Sequence, residues 1–414
     1  MATDHPIIKS LNDIDFYKHT MCQVALHRGY TDVPVEYRFL NRTKKIALPE
    51  YFTEDRLRSE LDAIRKLRFT KSEITFLRGQ NRNVKRMFQE DYLDFLGGVQ
   101  LPEYQLSTQG DHFDLRFPGP WGQAIFWETI ALSIVTELFG QAQLSRLTSF
   151  EQEVQYAQAK VRLLEKIKKI RKYPRIFITD FGTRRRFSRK WQKFVDRVLA
   201  TELGKQFLGT SNTLNAMLLS LLPMGTSAHE MYMIYSAIFR QSDHQLRESH
   251  NRVLQDWWDE YGWDLSVALP DTYGSDFFFR DFLREQAVAW KGLRHDSGDP
   301  FEFAEKTIAF YEGLGIDPRT KMIVFSDGLE VDTIIELFLR FGDRILVSFG
   351  WGTTLTNDLG FTTLSLVIKA AMANHLGTVK LSDNLAKAMG SEEDIARFKN
   401  VFGYKEATYT ECMV

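Results

Sequence analysis

The sequence predicts an α/β protein: an irregular parallel α/β barrel with an N-terminal α+β domain. Three observations carry this. After Pro174, seven short apolar runs end in polar turns, most of them followed by helical patterns, the rhythm of parallel βα units. Before residue 150, strand-like and helical runs mix without that rhythm. The apolar runs end in Gly, Asp, Ser or Arg, so polar chemistry falls at strand C-termini, where such folds build active sites. A doubly wound sheet is the alternative arrangement of the same units.

The elements follow in order. In residues 1–150, Val35–Leu40 and His112–Phe117 read as strands, and Glu54–Arg68, Lys71–Arg78 and Val84–Phe95 as helices. The most apolar window, Ala124–Gly140, carries Glu128 and Glu137. It is too short and too charged to span a bilayer and reads as a core helix. Residues 151–172 form a long helix, and the basic end at Lys166–Lys172 reads as a solvated C-terminus. The barrel strands are expected at Arg175–Thr179, Gln206–Leu208, Leu221–Met224, Ser266–Leu269, Ala289–Leu293, Lys321–Phe325 and Arg344–Ser348. Thr362–Met372 and Thr378–Leu381 read as strands returning to the first domain, and Ser391–Phe402 as a Ser-capped helix. The division is therefore 1–150, 151–360 and a C-terminal segment 361–414.

Composition bounds the function. Of 414 residues, 44% are apolar and 26% charged, which excludes a disordered or collagen-like chain. The 53 Lys and Arg nearly balance 54 Asp and Glu, so no nucleic-acid partner is expected. Cys22 and Cys412 form no CxxC, which points away from a disulfide framework or a cysteine zinc site. The first residues, Met1 to Pro6, lack a basic and an apolar signal region, so a reducing cytoplasm and no membrane are expected.

Single motifs narrow the chemistry. Asp180-Phe181-Gly182 lacks the other kinase motifs, and neither a Walker A sequence nor His-Glu-x-x-His is present. Arg184-Arg185-Arg186 follows a strand, and one or two of these planar forks suit a carboxylate or phosphate. Gly350-Trp351-Gly352-Thr353-Thr354 has the glycines and hydroxyls of a phosphate cradle. In Arg294-His295-Asp296-Ser297-Gly298-Asp299, Asp299 is expected to cap the helix beginning at Pro300, leaving Asp296 for magnesium. Asp327-Gly328 is another acidic strand end, suited to a sugar hydroxyl or the metal. Ser227-Ala228-His229-Glu230 reads as a capping box that sets His229 in a helix's first turn, where amides and dipole favour an anion.

Seven segments in one order resemble the nicotinate phosphoribosyltransferase family of the bacterial and fungal ATP-coupled type. They are Asp15–Met21, Phe181–Arg186, Gly209–Asn212, Gly225–Glu230, Arg294–Asp299, Ser326–Gly328 and Phe349–Thr353. The resemblance implies a type II phosphoribosyltransferase fold. It implies conversion of nicotinate and phosphoribosyl pyrophosphate to nicotinate mononucleotide and pyrophosphate, with ATP hydrolysis and Mg²⁺, in NAD salvage. By the same resemblance, Phe181 and Tyr17 sandwich the pyridine, with Tyr17 supplied either by a second subunit of a homodimer or by the same chain in a self-contained monomer. Arg184, Thr226 and Arg294 take the carboxylate, and Ser211 stands where nicotinamide enzymes carry Asp. Arg294 and Asp296, with Mg²⁺, serve the pyrophosphate. Asp327 and Gly328 serve the ribose, Gly350, Gly352 and Thr353 the 5′-phosphate, and His229 becomes phosphorylated. The alternatives are a nicotinamide or quinolinate phosphoribosyltransferase, or a non-catalytic NAD-metabolite sensor on the same fold.

Overall fold

The computed structural model describes residues 6–82 and 85–405. Its strands, in chain order, are β1 Pro34–Asn41, β2 Asn81–Arg82, β3 Lys85–Arg86, β4 Gln105–Gln109, β5 His112–Pro120, β6 Ile178–Asp180, β7 Phe207–Thr210, β8 Val267–Ala268, β9 Gly292–His295, β10 Met322–Phe325, β11 Leu346–Trp351, β12 Leu366–Ala373 and β13 Leu376–Gly377. They form a parallel sheet ordered β7-β6-β11-β10-β9-β8, an antiparallel sheet ordered β13-β12-β1-β5-β4, and the hairpin β2-β3.

The parallel sheet is a ring with one opening. Its last strand lies beside its first, Phe349–Trp351 pairing with Ile178–Asp180, so neighbours follow chain order around a circle. That order is a barrel's, and it excludes the doubly wound alternative. The opening lies between β7 and β8, where Leu221–Met224 was expected as a strand. This stretch makes an isolated bridge, Pro223 to Thr210, through the Leu222 carbonyl and the Met224 N–H. On its other side, toward the opening, Pro223 has no N–H to offer a further strand. The N-terminal segment fills in beside it. Asp15 bridges Asn212, the Phe16 N–H donates to the Ser211 carbonyl at 2.7 Å, and the Thr213 N–H donates to the Ile14 carbonyl at 2.9 Å.

The antiparallel sheet holds the other half of the molecule. β12 pairs with β1 from Leu366↔Asn41 to Ala373↔Val35, so the chain returns to its first sheet near its end. Helix Trp127–Leu144 lies between this sheet and the barrel, buried along nearly its whole length. No helix among the described residues is long and apolar enough to cross a membrane.

Several local expectations need correction. Val84–Phe95 is not one helix: Lys85–Arg86 pairs back on Asn81–Arg82, the helix runs Glu90–Gly98, and Val84 lies outside the described residues. Glu90 and Asp91 mark the true first turn by complementing the dipole. Ala289 ends helix Arg284–Ala289, and the strand there is Gly292–His295. Thr378–Leu381 is not a strand. A two-residue turn, Asn374 and His375, both at positive φ, folds β12 straight into β13, leaving Lys380 a lone bridge to Met389. The helix expected at 151–172 spans Ser149–Arg171, started by a Thr148–Glu151 capping box. Its basic end is not uniformly solvated, since Lys166 turns inward to Asp358. Cys22 is a buried free thiol, and Cys412 lies outside the described residues.

Candidate active site

The strand C-termini of the barrel converge on a cavity of about 150 Å³. Phe181 follows β6, Arg294 and Asp296 lie at the end of β9, Asp327 and Gly328 follow β10, and Gly352 and Thr353 follow β11. The opposite wall is β12 of the other sheet, which contributes Leu366, Val367 and Lys369. Seven basic side chains line this cavity against three carboxylates. A near-neutral chain thus concentrates positive charge in one place, which suits a small polyanion.

A smaller recess of about 40 Å³ shares Arg184, His229 and Arg294 with the cavity and has Tyr17 in its wall. The Arg184 guanidinium lies 5.5 Å from the Tyr17 ring centre, and that of Arg294 lies 5.7 Å from Phe181. Each aromatic ring therefore carries a planar cation over its face. Gly350 lies directly behind Phe181, where an added Cβ would come within 2.3 Å of the ring. Gly350 thus does not line the cavity; it leaves room for the Phe181 ring.

Carboxylates fix the arginines. Arg294 donates from Nη2 to Asp296 Oδ1 at 2.8 Å and from Nε to Ser326 Oγ at 2.8 Å. Although burial opposes it, the Arg294 charge holds Asp296 well below the usual carboxylate range. Arg184 pairs with Asp15 at 2.9 Å and more loosely with Glu128 at 3.4 Å. Arg185 lines the cavity. Arg186 is buried against Asp13 at 2.5 Å and takes no part. Two of the three consecutive arginines therefore face the site.

His229 is the first residue of helix His229–Ile238. The capping box expected ahead of it is absent, since the N-cap is Ala228. Glu230 cannot reach back because its carboxylate takes the Lys18 ammonium, the Tyr37 hydroxyl at 2.6 Å and the Trp121 indole N–H at 2.9 Å. The histidine is nevertheless closely surrounded. Nδ1 lies 2.9 Å from Thr272 Oγ1, and Nε2 lies 2.9 Å from Lys380 Nζ and 3.0 Å from Asp296 Oδ2. Burial first, and then the Lys380 charge, lower its pKa to about 4, so it is neutral at pH 7. An ammonium donating to Nε2 places the imidazole proton on Nδ1, from which it goes to Thr272. Nε2 then carries the lone pair, and Asp271 lies 3.6 Å from the Lys380 ammonium.

Comparison with known proteins settles the family. Residues 13–136 match the nicotinate phosphoribosyltransferase (NAPRTase) N-terminal domain, and residues 176–406 match the nicotinate phosphoribosyltransferase (NAPRTase) family. The chain belongs to the nicotinate phosphoribosyltransferase family. The nicotinate phosphoribosyltransferase of Porphyromonas gingivalis is 32% identical with a TM-score of 0.86, over 96% of this chain and 100% of that one. That of Vibrio cholerae is 32% identical with a TM-score of 0.85, over 97% and 94%.

In this nicotinate phosphoribosyltransferase family member, Tyr17, Phe181, Arg184, His229, Arg294, Asp296, Asp327, Gly328, Gly352 and Thr353 all line the cavity or its recess. Tyr17 lines the recess and Phe181 the cavity. Ser211 and Thr226 line neither space. Ser211 Oγ donates to Asp15 Oδ1 at 2.7 Å, so it bears on Arg184 only through Asp15. The Thr226 carbonyl accepts from Thr20 Oγ1 at 3.3 Å. Asp299 caps helix Pro300–Gly313 as expected, accepting from Phe301 and Glu302.

Sequence reading overlooked Lys369, Lys380, Lys387, Glu128 and Asp271. Lys387 donates to Asp327 at 2.6 Å and to the Asp296 carbonyl at 2.9 Å. Burial lowers the Lys369 pKa to about 8. One signal was available: Lys369 interrupts the apolar run Leu366–Ala373, and a lysine in such a strand needs a reason.

Proposed function

We propose that this chain makes nicotinate mononucleotide and pyrophosphate from nicotinate and phosphoribosyl pyrophosphate, with ATP hydrolysed in step, in the cytoplasm. The observation that carries this reading is the cavity itself, where Phe181 lies under Arg294 among basic side chains and beside His229. Pyridine needs a flat apolar face, and phosphoribosyl pyrophosphate needs several cations.

The reaction is a displacement at the ribose anomeric carbon. The nicotinate ring nitrogen donates its lone pair to form the new C–N bond, and the C–O bond to pyrophosphate breaks with its electrons leaving on oxygen. No general base is required, because that nitrogen carries no proton to remove. The residues must therefore position the reactants and receive the developing charge. In this reading Phe181 and Tyr17 hold the pyridine, Arg184 meets its carboxylate, and Asp327 holds the ribose. The Gly352 backbone and the Thr353 hydroxyl receive the 5′-phosphate, and Arg294 receives the leaving pyrophosphate.

The residues present fit magnesium. Donor atoms of His229, Asp271 and Asp296 lie within 4.8 Å of one another, and the buried Asp271 Oδ1 accepts no hydrogen bond among the described residues. Asp271 and Asp296 are the oxygen donors a hard cation prefers. When bound, Mg²⁺ would neutralise pyrophosphate charge.

His229 Nε2 is the group we assign to accept the ATP γ-phosphoryl. Its lone pair forms the N–P bond, and ADP leaves with the electrons of the broken P–O bond. The phosphohistidine carries negative charge at a helix N-terminus, where it is favoured. The test follows pyrophosphate and nicotinate mononucleotide formation with and without ATP, in wild type and His229→Ala. We expect the variant to form no acid-labile phosphoenzyme. A His229→Ala protein that hydrolyses ATP normally would overturn the assignment.

A further inference from the structure

Helix Ser149–Arg171 touches neither the cavity nor its recess. One side of it nevertheless grips the chain segment that leaves the cavity. Lys166 Nζ donates to Asp358 Oδ2 at 2.6 Å and to the Thr354 carbonyl, and it lies 5.5 Å from the Trp351 ring centre. Arg162 donates from Nε to Asp358 Oδ1 at 3.1 Å and from Nη2 to the Asp358 carbonyl at 3.0 Å. Gln155 Nε2 donates to the Leu359 carbonyl. The spacing 155, 162, 166 puts the three on one helix face.

The gripped segment begins with the cradle residues. The Trp351 indole N–H donates to Thr354 Oγ1 at 2.6 Å, and that hydroxyl donates onward to the Leu329 carbonyl at 2.6 Å. The loop after β11 is thus tied to the loop after β10, which carries Asp327 and Gly328. The ammonium of Lys166, only 12% exposed, holds this junction from behind. A charged donor on a half-buried carbonyl and a carboxylate is a directional contact.

We infer that Lys166 is a positioning residue for phosphoribosyl pyrophosphate, setting the Gly352–Thr354 cradle through Thr354 and Asp358 without touching ligand. The inference rests on the reading that this cradle receives the 5′-phosphate. It assigns Lys166 a role distinct from Lys168, Lys169 and Arg171, which share the basic helix end but pair at the exposed surface.

The experiment compares Lys166→Met, Lys166→Arg and Thr353→Ala by initial rates and by calorimetric binding of phosphoribosyl pyrophosphate with magnesium. Losing this half-buried charged hydrogen bond should raise the phosphoribosyl pyrophosphate KM and Kd of Lys166→Met about tenfold. Its kcat and nicotinate KM should stay near wild type, and Lys166→Arg should recover most of the loss. If Lys166→Met does not fold, Asp358→Asn, which keeps the side-chain shape, should show the same KM-only shift. Wild-type binding by Lys166→Met or Asp358→Asn, alongside weakened binding by Thr353→Ala, overturns the positioning role. An equal fall of kcat for both substrates, without rescue by Lys166→Arg, overturns it as well. Unchanged binding by Thr353→Ala instead removes the cradle reading on which it stands.

Discussion

The two walls of the cavity are built by opposite rules. The barrel wall takes its polar residues from loops just past strand C-termini: Phe181, Arg294, Asp296, Asp327 and Gly352. The facing wall takes Lys369 from the middle of β12, with Lys380 and Lys387 from the chain that follows it. The first wall holds an arginine against an acid, Arg294 on Asp296. The second presents lysines, whose charge depends on burial. A parallel barrel exposes only its strand ends to ligand, whereas an antiparallel sheet can turn a whole face toward one.

Removing each wall should therefore fail differently. The largest loss is expected for Arg294→Ala, about a thousandfold in kcat/KM if this guanidinium meets the leaving group. Initial-rate kinetics would check this, and a loss confined to KM would show that it binds substrate equally in ground and transition states. Lys369→Met should cost less, about tenfold in phosphoribosyl pyrophosphate KM. The second wall also predicts a pH signature. With its pKa lowered to about 8, Lys369 is charged below that value and neutral above it. The KM for phosphoribosyl pyrophosphate should rise between pH 7 and 9 in wild type and stay flat in Lys369→Met, as measured by rate profiles over that range.

Glu137 tests the joint between the two regions. It lies on helix Trp127–Leu144 and accepts from the Arg189 N–H of the barrel helix Arg189–Leu203 at 2.8 Å. Burial raises its pKa from 4.5 to about 7, so the folded state binds the proton more tightly than the unfolded chain. This group's contribution to stability is complete below pH 4.5 and is lost as pH rises through 7. Glu137→Gln should remove that slope, and urea melts of both proteins at pH 5 and pH 8 would show it. The smallest effect is expected for Ser211→Ala, which leaves the cavity lining intact. Through Asp15 and Arg184 it should lower the preference for nicotinate over nicotinamide about threefold, the size of one lost neutral hydrogen bond.

The same contrast explains what could be read from the sequence. Barrel chemistry was legible because a short apolar run followed by Asp-Gly or Gly-x-Gly marks both the fold and the site. Asp327 and Gly352 were singled out that way, and Arg294 by the charged strand end Arg294–Asp299. The opening at Pro223 was not legible, because Leu221–Met224 has the apolar character of its neighbours. Lys369 was missed because a lysine in an apolar strand belongs to no motif. Its meaning depends on Glu128 and Arg184, which reach it from distant parts of the chain. Ser211 shows the converse: the motif located the residue, but only the structure showed that its hydroxyl is taken by Asp15.

The stitch between Asp15 and Asn212 fixes when this site can exist at all. Ser211 Oγ and Asp15 are 196 residues apart in sequence, and Tyr17 lies against Gly225, where an added Cβ would be 3.1 Å from its backbone nitrogen. On the ribosome the N-terminal segment emerges first, but its docking partners are made much later. Contacts of such long range form slowly because the loop they close costs entropy before it yields packing. Tyr17 and Arg184 therefore meet only after the β7 region has folded, and the nascent chain has no assembled substrate pocket until most of its length is made.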